Sequence, residues 1–416
     1  NMAIASADRV RLAYVVESTP GTTPTTPALQ IVRLTGESLD VTRENIVSSE
    51  LRADRNVMDL IQVGGGAGGG VEFELSYGTY DDWLASALQG SWSGGSSAVA
   101  NRIVTLTAMV NGVYSIANQP ATPARITVTR TVAGSADTAG KITITGTDTS
   151  DNPITEDIVP GATGVAVSGR KIFKTVSLVV GSGWESDGTA DQITVGVAAM
   201  PAVLKNGSTP KSFTLERTLL DLSPNAYFRF KGMQVNGFSL TCATKEIVKG
   251  SFDFLGMSGE AAEAAIAGAT YLDATTGEVM DAASGFAGFS VAGLSGVHVS
   301  SLSLDATNNL RAPTAAGSVD ALGIGAGRFE LSGSLEAYFE DIELYEAFLN
   351  GDATALEFTL GRTTNEKYTF TIPRLKFETG TVQAQGNDSD IMASMTYRGL
   401  YDSVNGCTLM IERGVV

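Results

Sequence analysis

The sequence predicts an all-β protein with minor α content: two tandem copies of one β unit, each with one short helix packed on a sheet, and a β-sandwich inserted into the first. Three observations predict it. Glycine makes up 47 of the 416 residues and Thr, Ser and Val recur throughout, a mix that favours short strands and turns. Many short runs alternate apolar and polar side chains with period two. Several separated segments occur twice in the same order, the mark of a repeated unit.

The repeat is read in chain order. SLDVT at 38–42 matches SLDAT at 303–307. GGGAGGGVEFELSYGTYDDWLASALQG, ending at Gly90, matches GIGAGRFELSGSLEAYFEDIELYEAFLNG, ending at Gly351. In the first copy Val71, Phe73, Leu75 and Tyr77 alternate with Glu72, Glu74 and Ser76, a strand with one face buried. The helix that follows sets Trp83, Leu84, Ala87 and Leu88 on one face, and the second copy sets Leu344, Tyr345, Phe348 and Leu349 at the matching positions. FTLER at 213–217 echoes FTLGR at 358–362, YFRF at 227–230 echoes YTFT at 368–371, and IVKGSFDFLG echoes IMASMTYRG.

Gly351 to Phe358 is one short turn, whereas Gly90 to Phe213 is more than a hundred residues, so the first copy holds an insertion. Strand patterns at 124–132, 141–148, 171–180 and 191–199 make it a β-sandwich, with seven basic and eight acidic residues by count. Domains are expected at 1–92 with 204–260, at 93–203 for the insertion, and at 291–416. Residues 261–290 read as a connector whose Ala-rich part forms a short helix.

The glycine run 64–70 leads into a strand, not a helix, and lacks the Lys-Ser/Thr of a phosphate loop. It reads as a hairpin turn or a flexible loop end. The net charge of −17 excludes a basic nucleic-acid grip. His298 is the only histidine, lies in a strand-like run and has no nucleophile elbow beside it, so it reads as structural. Cys242 and Cys407 read as small core residues. One His and two distant Cys make no zinc site, and TDTSDNP at 147–153 reads as a turn before a calcium loop. No catalytic residue, cofactor or metal is expected. The N-terminal segment has no signal-peptide pattern, and no run of about 18 apolar residues predicts a membrane span.

Residues 34–92, with the SL strand, the SELRADR segment, the Gly run, the EFELSY strand and the YDDWL helix, resemble the major tail tube proteins of long non-contractile-tailed phages, as do 204–219 and the strands after them. The insertion is similar to immunoglobulin-like domains carried by phage tail proteins. The resemblance implies two tandem tail-tube-type β-sandwich or barrel domains, each with one flanking helix, in rings of subunits joined sheet to sheet and stacked into a tube. It implies partners in the tape measure, tail terminator and distal tail proteins, double-stranded DNA in transit without specific binding, and no membrane. It implies a place in the virion tail after assembly in the host bacterial cytoplasm. A ring-stacking loop falls at 44–62, with Ser48, Glu50, Arg52, Asp54 and Arg55 as contact candidates, and about Asn308–Asp320 of the second copy lacks that charged segment. Glu72 and Glu74 read as a solvated strand face or, functionally, as the lining of an acidic lumen. Two tube domains per chain imply homotrimeric rings with pseudo-sixfold symmetry. The competing readings are a secreted or surface-exposed β-sandwich adhesion protein, which a secretion signal would favour, and a hydrolase, which would need a convergent acid/base site.

Overall fold

The computed structural model describes residues 4–133, 140–184, 191–291, 293–295, 297–340, 342–363, 366–383, 386–387 and 390–414. The chain is mostly strand and divides into two compact units. One comprises 1–91, 204–362 and 368–411; the other comprises 92–203, 363–367 and 412–416. Among the described residues no helix is long and apolar enough to cross a membrane.

In the larger unit the principal strands are β1 (Val10–Val16), β2 (Asp40–Val47), β3 (Leu60–Glu74), β4 (Phe213–Leu219), β5 (Ala226–Ala243) and β6 (Lys249–Gly256), with helix α1 (Asp81–Ala87) after β3. They are followed by β7 (Phe286–Val291), β8 (Val299–Thr307), β9 (Glu330–Tyr338), α2 (Glu343–Asn350), β10 (Thr354–Leu360), β11 (Tyr368–Gln383) and β12 (Met392–Gly399). The first six pair in the order β2-β3-β6-β5-β4-β1, all antiparallel. The last six pair in the order β8-β9-β12-β11-β10-β7, also antiparallel. β5 pairs β8, with Gly237↔Thr307 through Ala243↔Ser301, so one sheet runs β2-β3-β6-β5-β8-β9-β12-β11 across both halves.

β5 and β11 are long because each serves two sheets. The early part of β5 pairs β4 and its later part pairs β6, with a register shift between Val235 and Gly237. β11 does the same with β10 and β12, with its shift between Phe377 and Thr379. A bulge of this kind bends a strand. The apolar faces enclose an aromatic core in the first half, where Trp83 crosses Phe252 and Phe254 edge-on at 5.4 and 5.0 Å and Phe73 stacks on Phe252 at 4.8 Å. Both cysteines are buried and free, as small core residues.

Both helices are short and lie on one face of a sheet. Trp83, Leu84, Ala87 and Leu88 are all buried. In α2 only Leu344 is buried; Tyr345 and Phe348 are half-buried, and Leu349 is 61% exposed. Phe348 rests over Gly380, where an added Cβ would meet its ring at 2.7 Å. Gly351 ends α2 with φ +65 and donates to the Phe348 carbonyl, the left-handed stop that glycine adopts at least cost.

Three expectations are corrected. The glycine run is no turn: it lies inside β3, between β2 and β6. The hairpin turn lies earlier, between Ser48 and Asp59, where the Ser48 N–H donates to the Asp59 carbonyl. The Ala-rich stretch forms no helix: Ser258–Ala262 is a strand on the edge of β5. Thr270–Leu272 lies parallel to Ala28–Ile31, and β7, which overlaps the end of the stretch read as connector, pairs β10. An open strand edge offers backbone hydrogen bonds that the weak helix propensity of a Gly- and Thr-broken segment does not outweigh. Finally, the FTLER/FTLGR match is out of step. Tyr227 opposes Thr218, one residue past FTLER, whereas Tyr368 opposes Leu360, inside FTLGR, so this match and the YFRF/YTFT match cannot both hold across the strands.

The smaller unit contains two four-stranded antiparallel sheets sharing a core that includes Ile126, Val128, Ile142, Ile144, Phe173 and Val195. The apolar run 171–180 splits at Lys174 into Val167–Phe173 and Thr175–Ser182, which belong to different sheets. TDTSDNP is a tight turn: the Asp148 carboxylate accepts the N–H groups of Ser150 and Asn152, and Asp151 pairs with Lys174 at 2.7 Å.

Candidate functional site: a polar sheet face and a projecting hairpin

The continuous sheet has an apolar face turned to the core and a polar face. Rows across it follow from register. One row reads Glu72, Ser251, Ser239, Asp305, Ser332, Arg398. The next reads Glu74, Lys249, Thr241, Ser303, Ser334, Thr396. Hydroxyls bond across strands: Ser239 with Ser251 at 2.8 Å, Ser303 with Ser334 at 2.9 Å, Thr379 with Thr396 at 2.6 Å. The face is thus paved with short hydroxylic side chains and glycine. Its carboxylates include Glu72, Glu74, Asp253, Asp305, Glu330, Glu336 and Glu378, against Lys249, Lys376 and Arg398. Arg398 is held by Glu378 at 2.5 Å, which leaves less positive charge to attract an anion. Glu72 is exposed and Glu74 half-buried.

β2 and the start of β3 leave the body as a hairpin. Ile46, Val47, Leu51, Val57, Met58, Leu60, Ile61 and Val63 are all exposed, Leu51 completely. Eight large apolar side chains on one ribbon exceed what scattered surface exposure explains; such a surface marks an interaction site. At the tip, Arg52 forms a two-pronged contact with Asp54 at 2.9 and 2.6 Å. That guanidinium, helped by the Asn56 N–H, draws the Asp54 carboxyl down to about 2. The Ser48 hydroxyl accepts the Glu50 N–H, and Arg55 takes a left-handed φ of +61 that shapes the turn. Of the five stacking-loop candidates, Arg52 and Asp54 therefore satisfy each other.

The glycines of β3 permit the close layering at the hairpin's base. Gly69 has φ +133, and a Cβ there would sit 2.3 Å from the Ser38 carbonyl oxygen. Gly66 and Gly70 meet nothing nearer than 3.4 and 3.5 Å. Gly69→Ala is expected to destabilise by about 1–3 kcal/mol, the cost of a non-glycine residue in such a conformation. Gly70→Ala should be neutral or stabilising by about 0.4–1 kcal/mol, because it restricts the unfolded chain. Denaturant titration of the pair checks the contrast; equal losses would mean that neither the φ of Gly69 nor its close approach to Ser38 governs the run.

The second half has no counterpart of the hairpin. After β8, Asn308 is buried and its side-chain amide donates to the Ala87 and Val235 carbonyls at 2.8 and 2.9 Å. Arg311 and Gly325 then bridge through paired backbone hydrogen bonds. The loop is tied to the first half instead of projecting. His298 lies just before β8, exposed, with Nδ1 2.7 Å from a Glu340 carboxylate oxygen. No serine or cysteine nucleophile is bonded to it among the described residues. Nor does any group of three or more His, Cys, Asp and Glu side chains there form a metal cluster.

No curated protein matches the chain. A family model described as phage tail tube protein matches residues 7–399, nearly the whole sequence. With its polar-faced sheet and apolar hairpin, the chain belongs to the phage tail tube protein family.

Proposed function

We propose that this protein is the ring subunit of a siphovirus-type tail tube, that three copies close each ring with pseudo-sixfold symmetry, and that double-stranded DNA passes through the lumen. The observation that carries this reading is the recurrence of one pairing order, β2-β3-β6-β5-β4-β1 and β8-β9-β12-β11-β10-β7, with the two sets joined edge to edge by β5 and β8. That recurrence supports an internal duplication, and a chain holding two tube domains closes a six-sided ring in threes.

The polar face lines the lumen in this reading, with Glu72 and Glu74 among its carboxylates. Short neutral hydroxyls and net negative charge release no counterions from DNA, so the duplex slides without being held. The hairpin stacks on the next ring and buries its apolar residues there, with Glu50 and Arg55 as its unabsorbed charges. The 93–203 insertion is an immunoglobulin-like domain on the outside of the tube. The tube's further partners are the tape measure, tail terminator and distal tail proteins.

Electron microscopy of the purified protein at high concentration, viewed down the particle axis, tests this directly. Hollow rings or tubes with three outer knobs are expected. Six knobs would keep the tube and remove the three-copy ring. Replacing Ile46, Leu51, Val57 and Leu60 with Ser should leave the melting temperature of the free subunit within a few degrees, because those side chains touch no core, while stacked tubes disappear and rings remain. Normal tubes from that variant would remove the hairpin from the stacking contact.

A further inference from the structure

The two ends of the continuous sheet are open edges, β2 on one side and the later part of β11 on the other. Among the described residues β2 pairs only with β3, and β11 beyond Leu375 pairs only with β12. The remaining partner of β11, the strand Met410–Arg413, joins near its start, where the Gly414 N–H donates to the Lys367 carbonyl. We propose that these edges pair antiparallel between copies of this chain with the register of the internal β5–β8 junction, so that Thr381 of one copy lies opposite Asp40 of the next. This rests on the self-assembly reading above and assigns its contact residue by residue.

The register is obtained by tracing equivalent rows. In the first half Asp40 lies opposite Gly68, Gly68 opposite Leu255, and Leu255 opposite Gln234, two residues before the bulge at Asn236. In the second half Asp305 lies opposite Ser332, Ser332 opposite Arg398, and Arg398 opposite Lys376, two residues before the bulge at Glu378. Both rows begin at the Asp of an SLD segment and end at the same distance from a bulge. β5 therefore maps onto β11, and β8 onto β2. The internal pairs Phe238↔Ala306, Ser239↔Asp305 and Leu240↔Leu304 become Gly380↔Val41, Thr381↔Asp40 and Val382↔Leu39 between copies.

Hydrogen-bond phase agrees. At the internal junction the Thr244 N–H donates to the Ser300 carbonyl. Stepping by two residues makes Leu240↔Leu304 and Phe238↔Ala306 hydrogen-bonded pairs and leaves Ser239↔Asp305 a non-hydrogen-bonded pair. Just before β2 the Ser38 N–H points inward, to the Gly70 carbonyl, so the backbone N–H groups of Leu39 and Val41 point to the open edge, as the mapping requires.

In the single chain those outward groups are capped by side chains, and Leu39 is only 1% exposed, so the Glu37–Arg217 pair has to swing aside before the edge can pair. The Leu39 N–H donates to Glu37 at 2.9 Å, and the Val41 N–H to the Asp40 carboxylate at 2.7 Å. The Leu39 carbonyl accepts from Arg217 at 3.0 Å, and Arg217 is paired with Glu37 at 2.9 Å. The residue of β8 that corresponds to Glu37 is Leu302, buried at the internal junction. Charge thus stands at the edge that is open in the free subunit and leucine at the edge that is always paired, the arrangement that keeps an open strand from pairing indiscriminately.

The test is oxidative crosslinking of assembled protein carrying Thr381→Cys and Asp40→Cys. Non-hydrogen-bonded antiparallel pairs hold Cα atoms about 4.5 Å apart, within disulfide range. Within one chain the two positions are seven strand spacings apart, on the order of 30 Å along the sheet, so any bond joins copies. Non-reducing gels should show a ladder of two and three chains, and neither single variant should give one. Thr381→Cys with Ser38→Cys is the offset control. Tubes that assemble without the Thr381–Asp40 bond, or that crosslink better through the control, would overturn the register and leave self-assembly standing. A ladder that continues past three chains would keep the edge contact and overturn the three-copy ring. Wild-type protein that forms neither rings nor tubes, together with a variant that forms no ladder, would overturn both. Val382→Pro removes an outward N–H that the free subunit does not use in a strand pair. It should fold, melt within a few degrees of wild type and remain monomeric; a Val382→Pro protein that still forms rings would also overturn the proposal.

Discussion

Arg229→Ala is expected to destabilise the larger unit by about 3–5 kcal/mol, the loss that follows when one partner of a buried ion pair is removed and the other charge stays behind. Glu216 is 0% exposed, and its carboxylate accepts from Arg229 Nε at 2.9 Å and from the Tyr271 hydroxyl at 2.5 Å. Arg229 also reaches Glu260 at 3.4 Å and the Ala264 carbonyl at 2.5 Å. Without the guanidinium, Glu216 keeps only the phenol, and the segment from Ser258 to Leu272 loses one of its ties, keeping its strand pairings and the Lys231–Glu260 ion pair. Domains of this size are held by roughly 5–15 kcal/mol, so such a loss is a large share of the total. Replacing both partners, Glu216→Leu with Arg229→Met, should cost far less, since no charge is stranded. Guanidinium titration of both variants checks this, and an equal loss in the two would mean that the pair acts through packing. The second half supplies an internal comparison. Glu357 opposes Thr371 across β10 and β11, as Glu216 opposes Arg229 across β4 and β5, and Thr371 donates to Glu357 at 3.1 Å on the surface. Glu357 is exposed to solvent, and no cation is needed.

The features legible in the sequence were those with side-chain periodicity. Val71, Phe73 and Leu75 against Glu72 and Glu74 gave the strand and both its faces, and Trp83, Leu84 and Leu88 gave α1. The all-β class followed. The glycine run reads as a turn because six residues without side chains carry no period-two signal. Only the register with β2 and β6 identifies them as strand. FTLER and FTLGR misled for the opposite reason: alternating strands match one another at several offsets, and only cross-strand partners select one.

The surfaces proposed for contact are harder to read than the core. The charged tip at Glu50, Arg52, Asp54 and Arg55 stood out in the sequence, yet two of the four neutralise each other there. The apolar ribbon of Ile46, Val47, Leu60 and Ile61 resembles any strand pair in sequence. Its exposure depends on the absence of covering chain, which is a tertiary property. The caps on β2 were invisible for a similar reason, since Arg217 lies 180 residues from Glu37.

Trp83→Ala should remove about 3–5 kcal/mol, the range for truncating a buried tryptophan. The indole is 1% exposed and packs against Tyr14 at 5.6 Å, Phe252 at 5.4 Å and Phe254 at 5.0 Å. Its Nε1–H has no hydrogen-bond partner, so Trp83→Phe deletes an unsatisfied donor as well as area. That variant is therefore expected to lose less than half as much as Trp83→Ala. The consequences reach beyond the local core. α1 presents the Ala87 carbonyl to Asn308 of the second half, and the Asp81 carboxylate accepts from the Tyr368 hydroxyl at 2.6 Å. Burial and that carboxylate together push the Tyr368 phenol well above its ordinary value, so the bond persists through the alkaline range in which an exposed tyrosine ionises. If α1 is the bracket between the halves, Trp83→Ala should also lower amide protection at Asn308 and Leu310. Leu344→Ala, on the less buried α2, should destabilise without affecting those amides. Hydrogen exchange on the two variants separates the cases: unchanged protection at Asn308 in Trp83→Ala would mean that the β5–β8 ladder alone holds the halves together, and that α1 serves only the first.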